Sequence, residues 1–92
     1  MKDVVTKECQ SGQETIFNMK LKRSQFLVKN FTSGKIKVTL GSNDTFSTIS
    51  SGCFENVFNN VDDRKSGTAE AVDIIKVVAE QTGEVEISSI DF

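Results

Sequence analysis

The chain has no histidine, tryptophan, tyrosine or proline, and all seven of its aromatic residues are phenylalanine. Without histidine it lacks the side chain used most often as a general base and as a metal ligand. Without Trp and Tyr it lacks the rings that most often anchor binding hot spots or stack on sugars. Two cysteines with no histidine make no zinc site. The six glycines are dispersed at turn-like positions, so no phosphate-cradling loop is present. A nucleophilic Ser or Cys would have only a carboxylate, a lysine or a terminal amine as its base. These absences predict a protein that is not an enzyme, with no catalytic residues, no cofactor and no metal.

No apolar run approaches the length that crosses a bilayer. The opening MKDVVTKECQSGQET has no apolar core of a secretory signal. The expected location is therefore the cytoplasm, with no membrane partner. At 92 residues there is room for one domain and one modest core.

What is present is alternation. Phe17, Met19 and Leu21 alternate with Asn18, Lys20 and Lys22, the period of a strand with one wet and one buried face. Phe26 to Phe31 reads as a second strand and Lys35 to Leu40 as a third. The turn 32–34 would join these two as a hairpin, with Gly34 at a position needing positive φ. Phe46 to Ser50 reads as a short edge strand, and Cys53 to Asn59 as another with Phe54 and Phe58 on its apolar side. A final hairpin would pair 72–79 with 84–90 through 80–83. The segment 69–81 also fits an amphipathic helix capped by Thr68 and Gly83. Its β-branched Val72, Ile74, Ile75, Val77 and Val78 favour a strand instead.

The fold class predicted is all-β, a compact antiparallel β-sandwich or partly open barrel of six to seven short strands. Residues 1–14 are expected to be a flexible polar leader, and 15–92 a single β-sandwich domain. The expected core is Phe17, Met19, Leu21, Val28, Ile36, Val38, Leu40, Phe54, Phe58, Ile75, Val77, Val85 and Ile87. Cys9 is expected as a free thiol in the leader and Cys53 as a small buried hydrophobe, with a Cys9–Cys53 disulfide as the alternative if the fold brings the two together.

Two segments mirror each other with charge reversed: Gly34-Lys-Ile-Lys-Val and Gly83-Glu-Val-Glu-Ile. The whole chain is divided in the same way. Residues 1–40 carry eight Lys/Arg against three Asp/Glu, and residues 41–92 carry three against ten. Cross-strand pairing inside one domain would absorb this division. Alternatively, a basic face and an acidic face would let copies stack head to tail. The candidate interaction surface is Lys20, Lys22, Lys35, Lys37, Glu84 and Glu86.

Other patterns have plainer explanations. Asn59, Asn60, Asp62 and Asp63, with Asn43 and Asp44, offer oxygen ligands, but Asn and Asp are favoured in loops anyway. Lys20, Lys22, Arg23, Lys29, Lys35 and Lys37 would form a basic stripe if the first three strands were neighbours. A sequence pI near 5.0 argues against nucleic acid as the partner. Asn30-Phe31-Thr32 matches a glycosylation acceptor pattern, here read as turn-prone sequence.

The runs VKNFTSGKIKVTLG, TISSGCFENVF and IIKVVAEQTGEVEI, within residues 27–92, resemble small all-β proteins of phage and prophage structural gene clusters. The resemblance implies a virion component or assembly accessory without catalysis, found in the cytoplasm during assembly and then in the virion. Its partners would be itself and other virion proteins, acting by protein–protein contact. The alternative is a small monomeric module that captures a sugar or peptide through loops 41–46 and 60–68, although no small-molecule ligand is indicated.

Overall fold

Eight short alternating segments pair into two sheets of four strands. The computed structural model describes residues 3–41, 46–58 and 72–89, with Phe58 described by its backbone only. In chain order the strands are β1 (Val4–Cys9), β2 (Glu14–Arg23), β3 (Gln25–Asn30), β4 (Ile36–Leu40), β5 (Phe46–Ile49), β6 (Phe54–Phe58), β7 (Val72–Ala79) and β8 (Gly83–Ser89). Sheet A has the order β1-β8-β3-β6 and sheet B the order β2-β7-β4-β5. All named pairs are antiparallel.

The order has one simple origin. β1 pairs with β8, β2 with β7, β3 with β6 and β4 with β5, as in a single long hairpin whose tip lies between β4 and β5. Successive rungs of that hairpin alternate between the two sheets, and β3–β8 and β4–β7 pairing joins them sideways. This is the double-sheet jelly roll, an all-β sandwich.

Both arms cross together. Cys9 faces Gly83 and Glu14 faces Val78, so each arm spends four residues passing from one sheet to the other. The arms stay joined on the way: the Gly12 amide donates to Ala79 O at 2.8 Å and the Ser11 hydroxyl to Glu80 O at 2.6 Å.

The all-β expectation is met, with eight strands where six to seven are expected. The segment 72–79 is a strand, which settles the helix alternative for those residues. Two expected hairpins do not form. β3 and β4 lie in different sheets, and so do β7 and β8. Gly34 is not in the left-handed region either; among the described residues the positive-φ glycines are Gly12, Gly41 and Gly52. Gly34 and Gly83 instead permit close approach. A Cβ on Gly34 would sit 2.9 Å from Gln81 Cγ, and one on Gly83 would sit 2.8 Å from Thr32 Cα. The two mirrored glycines are where the β3–β4 and β7–β8 crossings press together.

Asn30 fixes this corner. Its side chain is buried, and its amide lies 2.9 Å from Gly34 O, 3.1 Å from Ile49 O and 3.1 Å from Ser50 O. Its Oδ1 accepts from the Thr32 backbone amide at 2.9 Å, and the Thr32 hydroxyl oxygen lies 2.6 Å away. One side chain thus satisfies the carbonyls of two crossings, β3–β4 and β5–β6. A buried carbonyl stranded without a partner would cost about 1–3 kcal/mol. The Asn30-Phe31-Thr32 pattern is used up as turn glue.

Between the sheets lie Phe17, Met19, Phe26, Val28, Ile36, Val38, Leu40, Ile49, Val57, Ile75, Val77, Ala79, Val85 and Ile87, with Cys9. Each large apolar side chain here contributes about 1.5–3 kcal/mol by leaving water. Leu21 is half-buried rather than fully buried. Phe54 departs from the expected core: it is 69% exposed, and Val57 fills the inward phase of β6. A period of two leaves the phase open, and pairing of Val57 with Phe26 decides it. The side chain of Phe58 lies outside the described residues.

The leader expected at 1–14 is also revised. Val4–Cys9 is an edge strand paired along its length with β8. Asp3 is buried, and its Oδ2 accepts from the Lys20 and Leu21 amides at 2.7 and 3.0 Å. Those two amides lie inside the register irregularity of β2 between Asn18 and Arg23. The Asp3 carbonyl accepts from the Ser89 amide at 2.9 Å. Deleting residues 1–9 strips β8 of one of its two partners and β2 of this anchor. Urea unfolding of that deletion should show at least about 3 kcal/mol less stability than the full chain, from lost burial and unmet hydrogen bonds. An unchanged midpoint would mean that residues 1–9 are a leader after all.

Candidate interaction surface

Strand alternation gives each sheet one buried and one outer face, and the two outer faces differ in charge. On sheet B the outward charged positions are Glu14, Lys20 and Lys22 of β2, Lys76 of β7 and Lys37 of β4. On sheet A they are Glu8 of β1, Glu84 and Glu86 of β8 and Lys29 of β3. Four lysines against one glutamate face one way, and three glutamates against one lysine face the other.

The mirrored segments therefore sit on opposite faces and do not pair with each other. Lys35 immediately precedes β4 and Lys37 lies in it, in sheet B; Glu84 and Glu86 belong to β8 in sheet A. Lys29 and Glu86 show cross-strand pairing between the two halves of the chain. Lys29 faces Glu86, and Lys29 Nζ lies 3.4 Å from Glu86 Oε2. Both groups are partly exposed, so the pair contributes at most about 1 kcal/mol. The expected basic stripe is broken up, because Lys29 is on the other sheet and β7 separates β2 from β4. Lys76 of β7 fills that gap. It was hidden in the apolar run Ile74-Ile75-Lys76-Val77-Val78, where alternation is hard to see.

Each outer face also exposes large apolar side chains. Sheet B shows Ile16, Ile74 and Phe46; sheet A and its end show Val4, Phe54 and Phe31, the last 61% exposed. Ile16, Lys76, Thr39 and Phe46 form one rung across sheet B. Lys37 Nζ lies 4.2 Å from the centre of the Phe46 ring, a cation–π contact. Among the described residues neither Lys35 nor Lys37 has a carboxylate within ion-pair distance. An open pocket of about 580 Å³ lies at this end of the sheet B face. Lys35, Lys37, Thr48, Val78, Ser11 and Glu80 are on its wall.

The open edges of the sheets are guarded. β1 and β2 form adjoining edges, one from each sheet. Lys7 occupies an inward position on β1; its ammonium donates to Ile16 O at 2.8 Å and lies 5.8 Å from the Phe17 ring centre. Asp3 caps two further amides of β2. On the opposite side β5 is only four residues long, and β6 carries Glu55 opposite the buried Val28. Short strands and inward-phase charges are the usual defences against edge-to-edge pairing.

The cysteines exchange the environments expected of them. Cys9 is buried and Cys53 exposed, and both are free thiols. Burial pushes the Cys9 thiol above its ordinary 9.0, while a Thr15 hydrogen bond and the Lys7 charge act in the opposite sense. Among the described residues no three His, Cys, Asp or Glu side chains gather as a metal site. No described helix is long and apolar enough to cross a membrane. The oxygen-rich cluster at 59–63, Asn43 with Asp44, and most of loops 41–46 and 60–68 lie outside the described residues.

No family model, curated protein or solved structure matches this chain.

The thiols give a direct check on the placement of β1. A chromogenic disulfide reagent should label one thiol, Cys53, within minutes and Cys9 only on unfolding. Because the folded state holds the Cys9 proton more tightly, the unfolded state gains by ionising first. Stability should therefore fall as pH rises through about 9 and beyond. Rapid labelling of both thiols in the native protein would place Cys9 outside the core.

Proposed function

We propose that this chain is a non-enzymatic structural or assembly component of a phage or prophage particle, working by contact with copies of itself and with other virion proteins. The observation that carries the reading is the division of charge between the two outer faces, each with exposed phenylalanine. Such faces suit repeated stacking, since oppositely charged surfaces steer association and set its direction. The double-sheet jelly roll is used in viral capsid domains and also in lectins. By itself a fold carries analogy and not function. The resemblance of residues 27–92 to small phage structural proteins favours the particle setting.

Light scattering of the full chain at high protein concentration tests this. Assemblies should grow at about 0.01 M salt and dissociate near 1 M, where the screening length falls to about 3 Å. A monomer at every salt and concentration would remove the reading.

The pocket beside Lys35 and Lys37 favours a second reading, a monomeric module that captures an anionic ligand such as an acidic sugar. That reading expects a monomer whose melting temperature rises with the ligand.

A further inference from the structure

The two outer faces carry complementary features at the same end of the sandwich. On sheet A, Phe31 stands exposed beside Glu84, and its backbone amide donates to Glu84 O at 3.0 Å. On sheet B, the open pocket of about 580 Å³ is lined by Lys35, Lys37 and Val78 among others. The two features share one end, because the same crossings build both. The Glu80 amide donates to Lys35 O at 3.0 Å, and Gly83 lies against Thr32. One face thus shows an apolar ring with a carboxylate next to it. The other shows an open pocket lined by Ile36, Val78 and Ala79 together with two lysines, Lys35 and Lys37, and one carboxylate, Glu80.

We infer that the Phe31–Glu84 corner of sheet A docks into the Lys35–Lys37 pocket of sheet B on a second copy of this chain. The inference rests on the self-association proposed above and names the surfaces that carry it. Phe31 enters the pocket against Val78, and Glu84, with Glu8 beside it on the neighbouring strand, meets the two lysines. Docking by the faces also agrees with the guarded edge of β2: a copy approaching it meets Lys7 and Asp3, which already occupy the Ile16 carbonyl and the Lys20 and Leu21 amides. Knob and hole are different surfaces on opposite faces, so the contact is heterologous. Each copy keeps a free knob and a free hole, and the assembly extends as a stack or closes as a ring.

Charge reversal on one face at a time tests this on the full chain. The double variant K35E/K37E makes the receiving face acidic, and E8K/E84K makes the inserting face basic. All four positions are exposed, so both variants should keep the wild-type circular dichroism and melting temperature. At about 0.01 M salt each variant alone should stay monomeric by sedimentation velocity while the wild type assembles. An equal mixture of the two should assemble again, because the acidic knob of one fits the basic hole of the other and the reverse pair is equally matched. Phe31→Ser should weaken wild-type assembly about tenfold or more, as expected for a lost phenylalanine anchor. If the wild type assembles and the variants assemble equally well, or their mixture stays monomeric, copies meet through other surfaces and this docking is wrong. If the wild type never assembles, the self-association reading falls and the docking with it.

Discussion

The jelly roll depends on the chain changing sheets at Asn30. β3 ends in sheet A, and within six residues β4 begins in sheet B. Such a crossing leaves backbone carbonyls pointing away from any ladder, and buried carbonyls must find donors. The Asn30 amide nitrogen lies within 3.1 Å of three carbonyls, those of Gly34, Ile49 and Ser50, and shares its two N–H groups among them. Its backbone does the same for the next chain over: the Asn30 amide donates to Cys53 O and the Gly52 amide to Asn30 O. Gly34 and Gly83 let the β7–β8 crossing lie directly against this corner, where a Cβ would collide. Aspartate at position 30 would turn a donor toward carbonyl oxygens into an acceptor, which no small shift repairs.

That corner also links fold to surface. The crossing that Asn30 holds puts Lys35 at the end of sheet B, and the crossing packed against it puts Glu84 at the end of sheet A. Nearly every step along the chain changes sheet, so each sheet takes two strands from residues 1–40 and two from the rest. The division of charge between the faces comes instead from which strands carry outward lysines, chiefly β2, β4 and β7, and which carry outward glutamates, chiefly β1 and β8. It leaves a molecule with a direction.

Seven of the eight strands were legible in the sequence, and their partners were not. Phe17-Met19 and Ile36-Val38-Leu40 alternate cleanly, and each such run is a strand with those residues inside. β1 was hidden because its inward positions are Val5, Lys7 and Cys9, and the lysine breaks the apolar period. Gly34 and Gly83 looked like turn residues; that they serve close packing is a tertiary fact with no local signature. Phe54 and Val57 both fit an alternating strand, and only pairing with Phe26 selects the phase. Of the surface, the charged pairs Lys35/Lys37 and Glu84/Glu86 were visible as alternation. Their separation onto opposite faces was not, nor was the place of Lys76 between β2 and β4, nor that Phe31 and Phe46 lie outside.

Native-state hydrogen exchange at the Asn30 corner tests the central claim most directly. The amides of Thr32 and Gly52 lie in crossings and that of Asn30 at the very end of β3, and each donates to a partner within this network. If the corner holds the two sheets together, these amides exchange only through global unfolding, with the same free energy as the core strand amides of Val28 and Ile87. Exchange of the three at the rate of exposed turn amides, while β3 and β8 stay protected, would contradict the account.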